Sequence, residues 1–397
     1  PPDKKRAALE ISAALAGVSL KVSREFVEAV PRAAKILSAA DLRSWGELGR
    51  RIAMGSSETG VKFFAKGVGG LKRVPQNARA AVFQISTRQL VLSSSIALGS
   101  FELIPKIAAE VKDKKLIADI LSLAAEIAQR SAKHSADFLT HTPATARAIS
   151  AYGEARVNEA VFALAGDFAH RTGGLTAELW QTLPQAFEDL SADAAVRLIQ
   201  SASEFLEFGG SVTLHFVSSG SKVLSDAPSA FDDWTALSRT IAVHGNAVLI
   251  SFLRATPKFV SQMSARKNIE ETAIRRVLQL TIRIAETDAE SALAAFNSSA
   301  VALQKVSLAQ FEDWITGGLV DLDEMSAKAR RSYFALETRD SNEKLQKTRI
   351  GLPLEKVQHV LQLYVEALTG REVEIAPLTA MPQETRIGDG KAIYLPT

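Results

Sequence analysis

Apolar and polar positions along the chain follow a pattern that repeats about every forty residues. An apolar anchor residue recurs at intervals of between 36 and 43 residues. Most residues seven and four positions before an anchor are also apolar, which places all three on one face of an α-helix. The nine anchors are Leu15, Ile52, Leu90, Ile127, Phe168, Phe205, Ile241, Ile284 and Leu322. The residues eleven positions later are Phe26, Phe63, Phe101, Phe138, Leu179, Phe216, Phe252, Ala295 (beside Phe296) and Tyr333.

Each period predicts a helix A, a tight turn and a helix B, because small or turn-forming residues separate the two apolar positions. Helix B often carries a proline four or five residues after its aromatic residue, at Pro31, Pro105, Pro143, Pro184 and Pro257. No single helix pair can bury its own apolar stripe, so neighbouring pairs must stack into a continuous core. The pattern predicts an all-α fold, a HEAT- or armadillo-like α-solenoid of about nine two-helix repeats that forms one elongated domain over residues 1–345.

A tetratricopeptide array is the alternative for one segment. Trp45, Leu48 and Gly49 match the opening of that repeat. The later Ala, Phe and Pro positions of the tetratricopeptide pattern are absent, and a period near forty residues is too long for it. The pattern therefore favours the HEAT-like interpretation.

The composition is consistent with a helical array, and it restricts both the chemistry and the cellular location that we expect of the protein. The chain has 397 residues, of which 47% are hydrophobic and only 7% aromatic, and it has no cysteine. Disulfides, thiolate metal sites and a cysteine nucleophile are therefore excluded. The first residues lack the apolar core of a secretory signal, and the longest uncharged stretches are shorter than the ~20 residues that span a bilayer. We expect a cytoplasmic protein with no membrane span.

A net charge of +3 conceals a segregation of charge along the chain. Residues 61–100 contain six basic residues and no acid, whereas residues 175–234 contain nine acids and two basic residues. Ordinary solvated helix faces would explain this distribution, and so would a basic docking patch for a partner. The candidate partner-binding residues of the first segment are Lys62, Lys66, Lys72 and Arg73.

The sequence contains no strong signal of catalysis, of a cofactor or of a metal site. The six histidines form no metal-ligand motif, and no phosphate-binding loop is present. Asp233-Trp234 and Asp313-Trp314 are Asp-Trp pairs of the kind that a helical-repeat DNA glycosylase could use. Because both tryptophans coincide with the helix A stripe, we expect them in the core. A nucleic-acid partner would also require a more basic domain, so we do not expect one.

The pattern changes after the ninth period. A second basic run contributes further candidate partner-binding residues, namely Arg330, Arg331, Arg339, Lys344, Lys347 and Arg349. The apolar face of residues 355–368 predicts a helix that ends at Gly370, and an Asp-Gly signal between short alternating segments predicts a small β element. Residues 346–397 are thus predicted to form a C-terminal helix and β extension leading to a downstream domain.

This C-terminal region resembles a bacterial family of large proteins that carry a von Willebrand factor A domain. The similar segments are Arg330 to Leu336, Val360 to Gly370 and Asp389 to Pro396. The family is the nitric oxide reductase activation type, together with the related large subunit of a Rubisco activase. The resemblance implies a hexameric MoxR-type AAA+ ATPase as partner, with the pair remodelling or activating a target metalloenzyme. The metal-binding motif of the A domain does not occur in this chain, so that function cannot be assigned to any of its residues.

Three hypotheses follow. The first is a non-enzymatic adaptor that binds proteins within such an ATPase system. The second is a helical-repeat enzyme that acts on nucleic acid, and the third is a generic repeat scaffold with no connection to an ATPase. We favour the first.

Overall fold

The computed structural model describes residues 2–111, 113–265, 271–303, 307–320, 326–334, 385–387 and 391–393. Short 3-10 turns connect several of the helices within these ranges. In chain order, the α-helices and strands are α1 (Pro2–Ala16), α2 (Leu20–Ala33), α3 (Ala39–Gly55), α4 (Ser57–Lys66), α5 (Arg79–Gln89), α6 (Ser94–Glu110), α7 (Lys114–Arg130), α8 (Ala132–Tyr152), α9 (Ala155–Thr172), α10 (Thr176–Phe187), α11 (Ala192–Phe205), α12 (Gly210–Asp226), α13 (Phe231–His244), α14 (Asn246–Ser264), α15 (Glu271–Ala285), α16 (Ala289–Ala302), α17 (Leu308–Val320), α18 (Ala327–Phe334), β1 (Thr385–Ile387) and β2 (Lys391–Ile393).

The eighteen helices fall into nine successive A–B pairs, which confirms the predicted alternation and an all-α architecture for the described part of residues 2–334. Strands β1 and β2 pair antiparallel, with Arg386 opposite Ala392. The predicted helix at residues 355–368, the residue 345/346 boundary and the anchor Leu322 lie outside the described residues. The chain divides into two compact units, Pro1–Ser218 and Ser219–Thr397, and the division falls within α12.

The predicted anchors form the core of each unit. Seven of the nine, namely Leu15, Ile52, Ile127, Phe168, Phe205, Ile241 and Ile284, are buried, as are all the apolar residues predicted eleven positions later. Aromatic rings interlock between neighbouring repeats of the first unit, where the Phe63 and Phe101 ring centroids are 4.8 Å apart. Phe26 and Trp45 are similarly close at 5.4 Å. Each pair therefore buries its stripe against the next, as expected of a stacked array.

The third anchor prediction was wrong by one residue. Leu90 is only half-buried, whereas Gln89 is completely buried. In the first, second, fourth and eighth repeats the residue four positions after the anchor caps helix B, and its N–H donates to the anchor carbonyl, as from Ser56 to Ile52. In the third repeat the cap is Ser93, which donates to Gln89. Apolar character alone favours Leu90 as the anchor, but the backbone hydrogen bond from Ser93 assigns the anchor position to the polar residue Gln89.

With Gln89 as anchor, the five helix B prolines fall at one position. Each follows its own anchor by sixteen residues and lies inside its helix. Proline cannot donate to the carbonyl four residues earlier, which is left without its helical partner. Two such carbonyls instead accept a hydrogen bond from a hydroxyl group on the preceding helix B. Thr145 Oγ1 donates to Trp180 O, and Ser219 Oγ donates to Leu253 O, each at 2.6 Å. The prolines therefore create acceptors that connect adjacent repeats.

The buried Gln89 is expected to lower the stability of the first unit. Its Nε2 donates to Ser135 Oγ at a long 3.4 Å, and its Oε1 has no hydrogen-bond partner among the described residues. Because a buried unpaired polar group is costly, Gln89→Leu should stabilise the unit by about 1 kcal/mol. Ser135 would retain its own donation to Ala124 O. Urea titration followed by circular dichroism measures the change, and a destabilised variant would contradict the prediction.

Candidate docking surface

Lys62 and Lys66, two candidate docking residues, are engaged within the first unit. Both lie on α4 and extend into solvent, but each contacts a carboxylate. Lys62 Nζ lies 2.7 Å from Glu58 Oε1 one helical turn earlier, and Lys66 pairs with Glu102 of the next repeat. Glu58 lies just before the acid-free segment of residues 61–100, and Glu102 lies just after it. The structure therefore places these two lysines in ion pairs rather than in an uncompensated patch.

The second basic run is also paired where the structure describes it. Arg331 Nη1 lies 2.6 Å from Glu290, and Arg330 Nε lies 3.8 Å from Asp288. Both acids lie at the start of α16, one repeat earlier, and Asp288 also caps that helix. Because Arg330 is largely buried, its contact is structural. The other residues of the run, Arg339, Lys344, Lys347 and Arg349, lie outside the described residues, so their role as docking residues stays a prediction.

Lys72 and Arg73, unlike Lys62 and Lys66, do not lie on α4. They lie in a short 3-10 turn at residues 69–73, where α4 leads toward α5, and both are exposed. The Arg79 guanidinium donates to Ile36 O at 2.8 Å and to Val74 O at 3.4 Å. One guanidinium thus connects Val74, the residue after Arg73, with Ile36 in the turn that follows α2.

Two further cations are brought to the same edge. Lys35 directly precedes Ile36, the acceptor for Arg79, and it is exposed. Lys106 follows Pro105, which packs so closely on the 3-10 turn that a Cβ at Gly70 would lie 2.6 Å from the proline Cβ. We call Lys35, Lys72, Arg73 and Lys106 the basic edge. Lys35, Lys72 and Arg73 lie in the helix B to helix A connections of the first two repeats, and Lys106 lies near the end of α6 in the third.

The basic edge carries an uncompensated positive charge. None of its four side chains pairs with an acid among the described residues. The nearby acids have other partners, because Asp41 completes the capping box of α3 with Ser38, Glu102 pairs with Lys66, and Glu110 pairs with Arg147. Lys72 and Arg73 were predicted from the sequence as docking residues, whereas Lys35 and Lys106 were not. Lys35 and Lys72 each follow their anchors by twenty residues, so aligning the repeats would have revealed the first of the missed residues.

The Asp233-Trp234 pair of the second unit has a structural role. Trp234 is buried, and its indole N–H donates to Thr256 Oγ1 at 3.1 Å. Asp233 lies 2.8 Å from Arg275 Nε and accepts from Gln279, both on α15 of the next repeat. The expectation that this tryptophan belongs to the core is confirmed, whereas the Trp314 side chain lies outside the described residues.

The described residues contain neither a candidate metal site nor a helix that could span a membrane. No three histidine or carboxylate side chains converge in a way that could hold a metal ion in the described ranges. Among the helices of the part of the chain that the structure describes, none combines the length and the apolarity needed to cross a bilayer. Comparisons with protein-family models, with curated proteins and with solved structures found no match to this chain.

Proposed function

We propose that this chain is a non-enzymatic scaffold of HEAT-like repeats that binds an acidic segment of a partner protein. The observation that carries the proposal is the basic edge, where four exposed cations from three successive repeats lie together and none forms an ion pair with an acid among the described residues. Such a surface attracts an acidic partner and accelerates association at low ionic strength. The solenoid arrangement is part of the proposal, because it supplies an extended edge made of equivalent positions.

Contacts between neighbouring repeats favour a preorganised platform. In the first unit, Tyr152 donates to Phe187 O at 2.9 Å and to Leu190 O at 3.1 Å, and burial raises the pKa of its phenol. Arg130 donates to Ala169 O at 2.9 Å across a repeat boundary. Each contact joins residues about one repeat apart. At the basic edge itself, Arg79 makes the corresponding connection by donating to Ile36 O and Val74 O. A surface that is already rigid loses less conformational entropy on binding, which strengthens association.

The partner that we propose is a MoxR-type AAA+ ATPase, acting with a target enzyme in the cytoplasm. This choice depends on the resemblance of residues 330–336, 360–370 and 389–396 to the family with a von Willebrand factor A domain. In this scheme the ATPase supplies energy from hydrolysis, and the helical repeats provide the docking arm. The basic edge would then contact an acidic surface of the ATPase.

Reversing charge at the basic edge should weaken binding to the cognate MoxR-type ATPase. We expect Lys72→Glu/Arg73→Glu to lower affinity about tenfold at low salt, and by less at 0.15 M ionic strength, where the screening length is about 8 Å. Lys62→Glu/Lys66→Glu is the matched control, because it changes the formal charge equally at lysines that already pair with acids. Its affinity should stay within about twofold of wild type.

Pull-down and fluorescence anisotropy over a salt series measure these affinities, with circular dichroism confirming that both variants fold. Equal losses in the two variants would mean that overall charge, and not the basic edge, controls binding. Wild-type affinity in Lys72→Glu/Arg73→Glu would remove the basic edge from the interface. Failure of the wild-type protein to bind the ATPase at any salt concentration would overturn the proposed partnership.

A further inference from the structure

Four large apolar side chains are exposed where helix A turns into helix B in the second and third repeats. Met54 is 64% exposed, Val91 80%, Leu92 41% and Ile96 40%. They lie at the opposite helix ends from the basic edge, because helices A and B of a pair run in opposite directions. Single exposed apolar residues are ordinary, but a group of them marks an interaction site. We call these four residues the turn patch.

The two turns that carry the patch are in direct contact. Ser94 Oγ of the third repeat donates to Ile52 O, two residues before Met54, at 3.1 Å. A Cβ added to Gly55 would lie 2.5 Å from the same Ser94 Oγ, so the backbone at Gly55 packs against the start of α6. Met54 precedes Gly55, and Val91 and Leu92 precede the Ser93 cap. The four apolar side chains therefore border one shared surface.

An open space adjoins the patch on α6. Gly99 follows Ile96 by three residues, which places the two on the same helix face. Gly99 is exposed, and a Cβ built on it would meet nothing within 4 Å. A side chain from a partner could thus lie over Gly99 against Ile96.

The charges around the turn patch are mainly positive. Arg50 and Arg51 both donate to Glu47, and Arg50 Nη1 also approaches Met54 Sδ at 3.3 Å. Hydrogen bonds from Arg50 are the main reason that the pKa of Glu47 falls to about 2, so this acid stays ionised and compensates one of the two arginines. Arg88 at the end of α5 is exposed and pairs with no acid among the described residues. Glu58 in the first turn of α4 is paired with Lys62. The rim of the turn patch, which consists of Arg50, Arg51 and Arg88, therefore retains an excess of positive charge.

We propose that the turn patch is a docking site for an acidic amphipathic helix of another protein. Neighbouring helices pack about 8–10 Å apart, which sets the spacing between the two turns. Residues i and i+7 of a helix are about 10.5 Å apart, so apolar residues at i, i+3, i+4 and i+7 can reach both turns. Acidic residues beside this stripe would meet Arg50, Arg51 and Arg88. A second copy of this chain fits less well, since two positive rims repel each other.

A synthetic peptide tests the site without knowledge of the natural partner. The probe is a fluorescein-labelled fourteen-residue helix with Leu at i, i+3, i+4 and i+7 and mainly Glu elsewhere, compared with a version in which Lys replaces Glu. We expect the Glu peptide to bind the full chain at least about tenfold more tightly than the Lys peptide, because only the first complements the rim. Met54→Ser/Val91→Ser/Leu92→Ser should weaken Glu-peptide binding by about tenfold or more.

Val243→Ser is the matched control for this experiment. Val243 of the second unit is 82% exposed and follows its anchor by two residues, as Met54 and Val91 follow theirs, but it lacks the exposed apolar neighbours of the turn patch. Its variant should bind the Glu peptide within about twofold of wild type. Lys72→Glu/Arg73→Glu should also retain peptide binding, which separates this proposal from the basic edge.

Three outcomes of the peptide experiment would overturn the inference. They are absence of binding by the Glu peptide, equal binding of the Glu and Lys peptides, and equal loss in the triple variant and Val243→Ser. Sedimentation velocity supplies a further test. A dimer of the wild-type chain that the triple variant abolishes would assign the turn patch to self-association instead.

Discussion

Replacing Ile127 by aspartate is expected to lower the free energy of unfolding of the first unit by about 4 kcal/mol or more, because a buried carboxylate without a partner is among the most costly substitutions. Ile127 is only 2% exposed and lies on the apolar stripe of α7 with Ile120 and Leu123. Its carbonyl also accepts from the Ser131 N–H that begins α8. A charge at this position would thus disturb the core of the fourth repeat beside the helix A to helix B turn.

Ser122→Asp is the control, because it introduces the same charge into the same helix at an exposed position. Its stability should stay within about 0.5 kcal/mol of wild type. Chemical denaturation gives the free energies, and amide hydrogen exchange locates the damage. In a repeat array, loss of one repeat weakens its neighbours, so protection should fall in α5 and α9 as well as in α7 and α8. An Ile127→Asp melting curve identical to wild type would show that Ile127 is not a core anchor.

The helix pairs could be predicted because their determinants are local and repeated. An apolar stripe at helical spacing identifies helix A, and a cap four residues after the anchor begins helix B. The exception, Leu90, illustrates what hydrophobicity alone misses. Ser93 marks the start of α6 independently of hydrophobicity, and counting back four residues from it gives Gln89. In the third repeat the cap residue is therefore a better marker of alignment than the apolar residues.

Charge in the sequence was a poorer guide to the surface. A window over residues 61–100 contains no acid, yet Lys62 pairs with Glu58 and Lys66 with Glu102 just beyond its limits. Arg331 pairs with Glu290, which is 41 residues earlier. In a repeat array the nearest acid is often one period away, so charge counted along a continuous segment overestimates the net field. Comparison of charges one period apart would have identified the pairs of Lys66 and Arg331.

The candidate surfaces also depend on contacts that no local pattern encodes. Arg79 connects the turn after α2 with the end of the 3-10 turn at residues 69–73, and this bridge makes Lys35 a neighbour of Arg73. At the opposite helix ends, Ser94 connects the third repeat with the second by donating to Ile52 O. The acceptors Ile36 and Ile52 each lie about one period before their donors. Polar contacts between repeats thus decide which surface residues act together.

Gly49→Ala is expected to destabilise the first unit by about 2 kcal/mol, although alanine is the better helix former. A Cβ at Gly49 would lie 2.7 Å from Cε1 and Cε2 of Phe64 and closer still to Cζ. Phe64 cannot move away easily, because its ring packs edge-on against Phe26, Trp45 and Phe63 with centroids 5.0 to 5.1 Å apart. Overpacking of this kind costs about 1–3 kcal/mol or more and outweighs the gain of about 1 kcal/mol in helix propensity.

Gly166→Ala separates the gain in helix propensity from the cost of overpacking. Gly166 lies inside α9, and a Cβ there would meet nothing within 4 Å, so this variant should gain about 0.5–1 kcal/mol from helix propensity alone. A double-mutant cycle with Phe64→Leu tests the proposed clash, because a smaller side chain leaves room for the new methyl group. The double variant should be more stable than the sum of the two single losses predicts. Strict additivity, measured by urea denaturation, would mean that Gly49 is required for a reason other than the Phe64 ring.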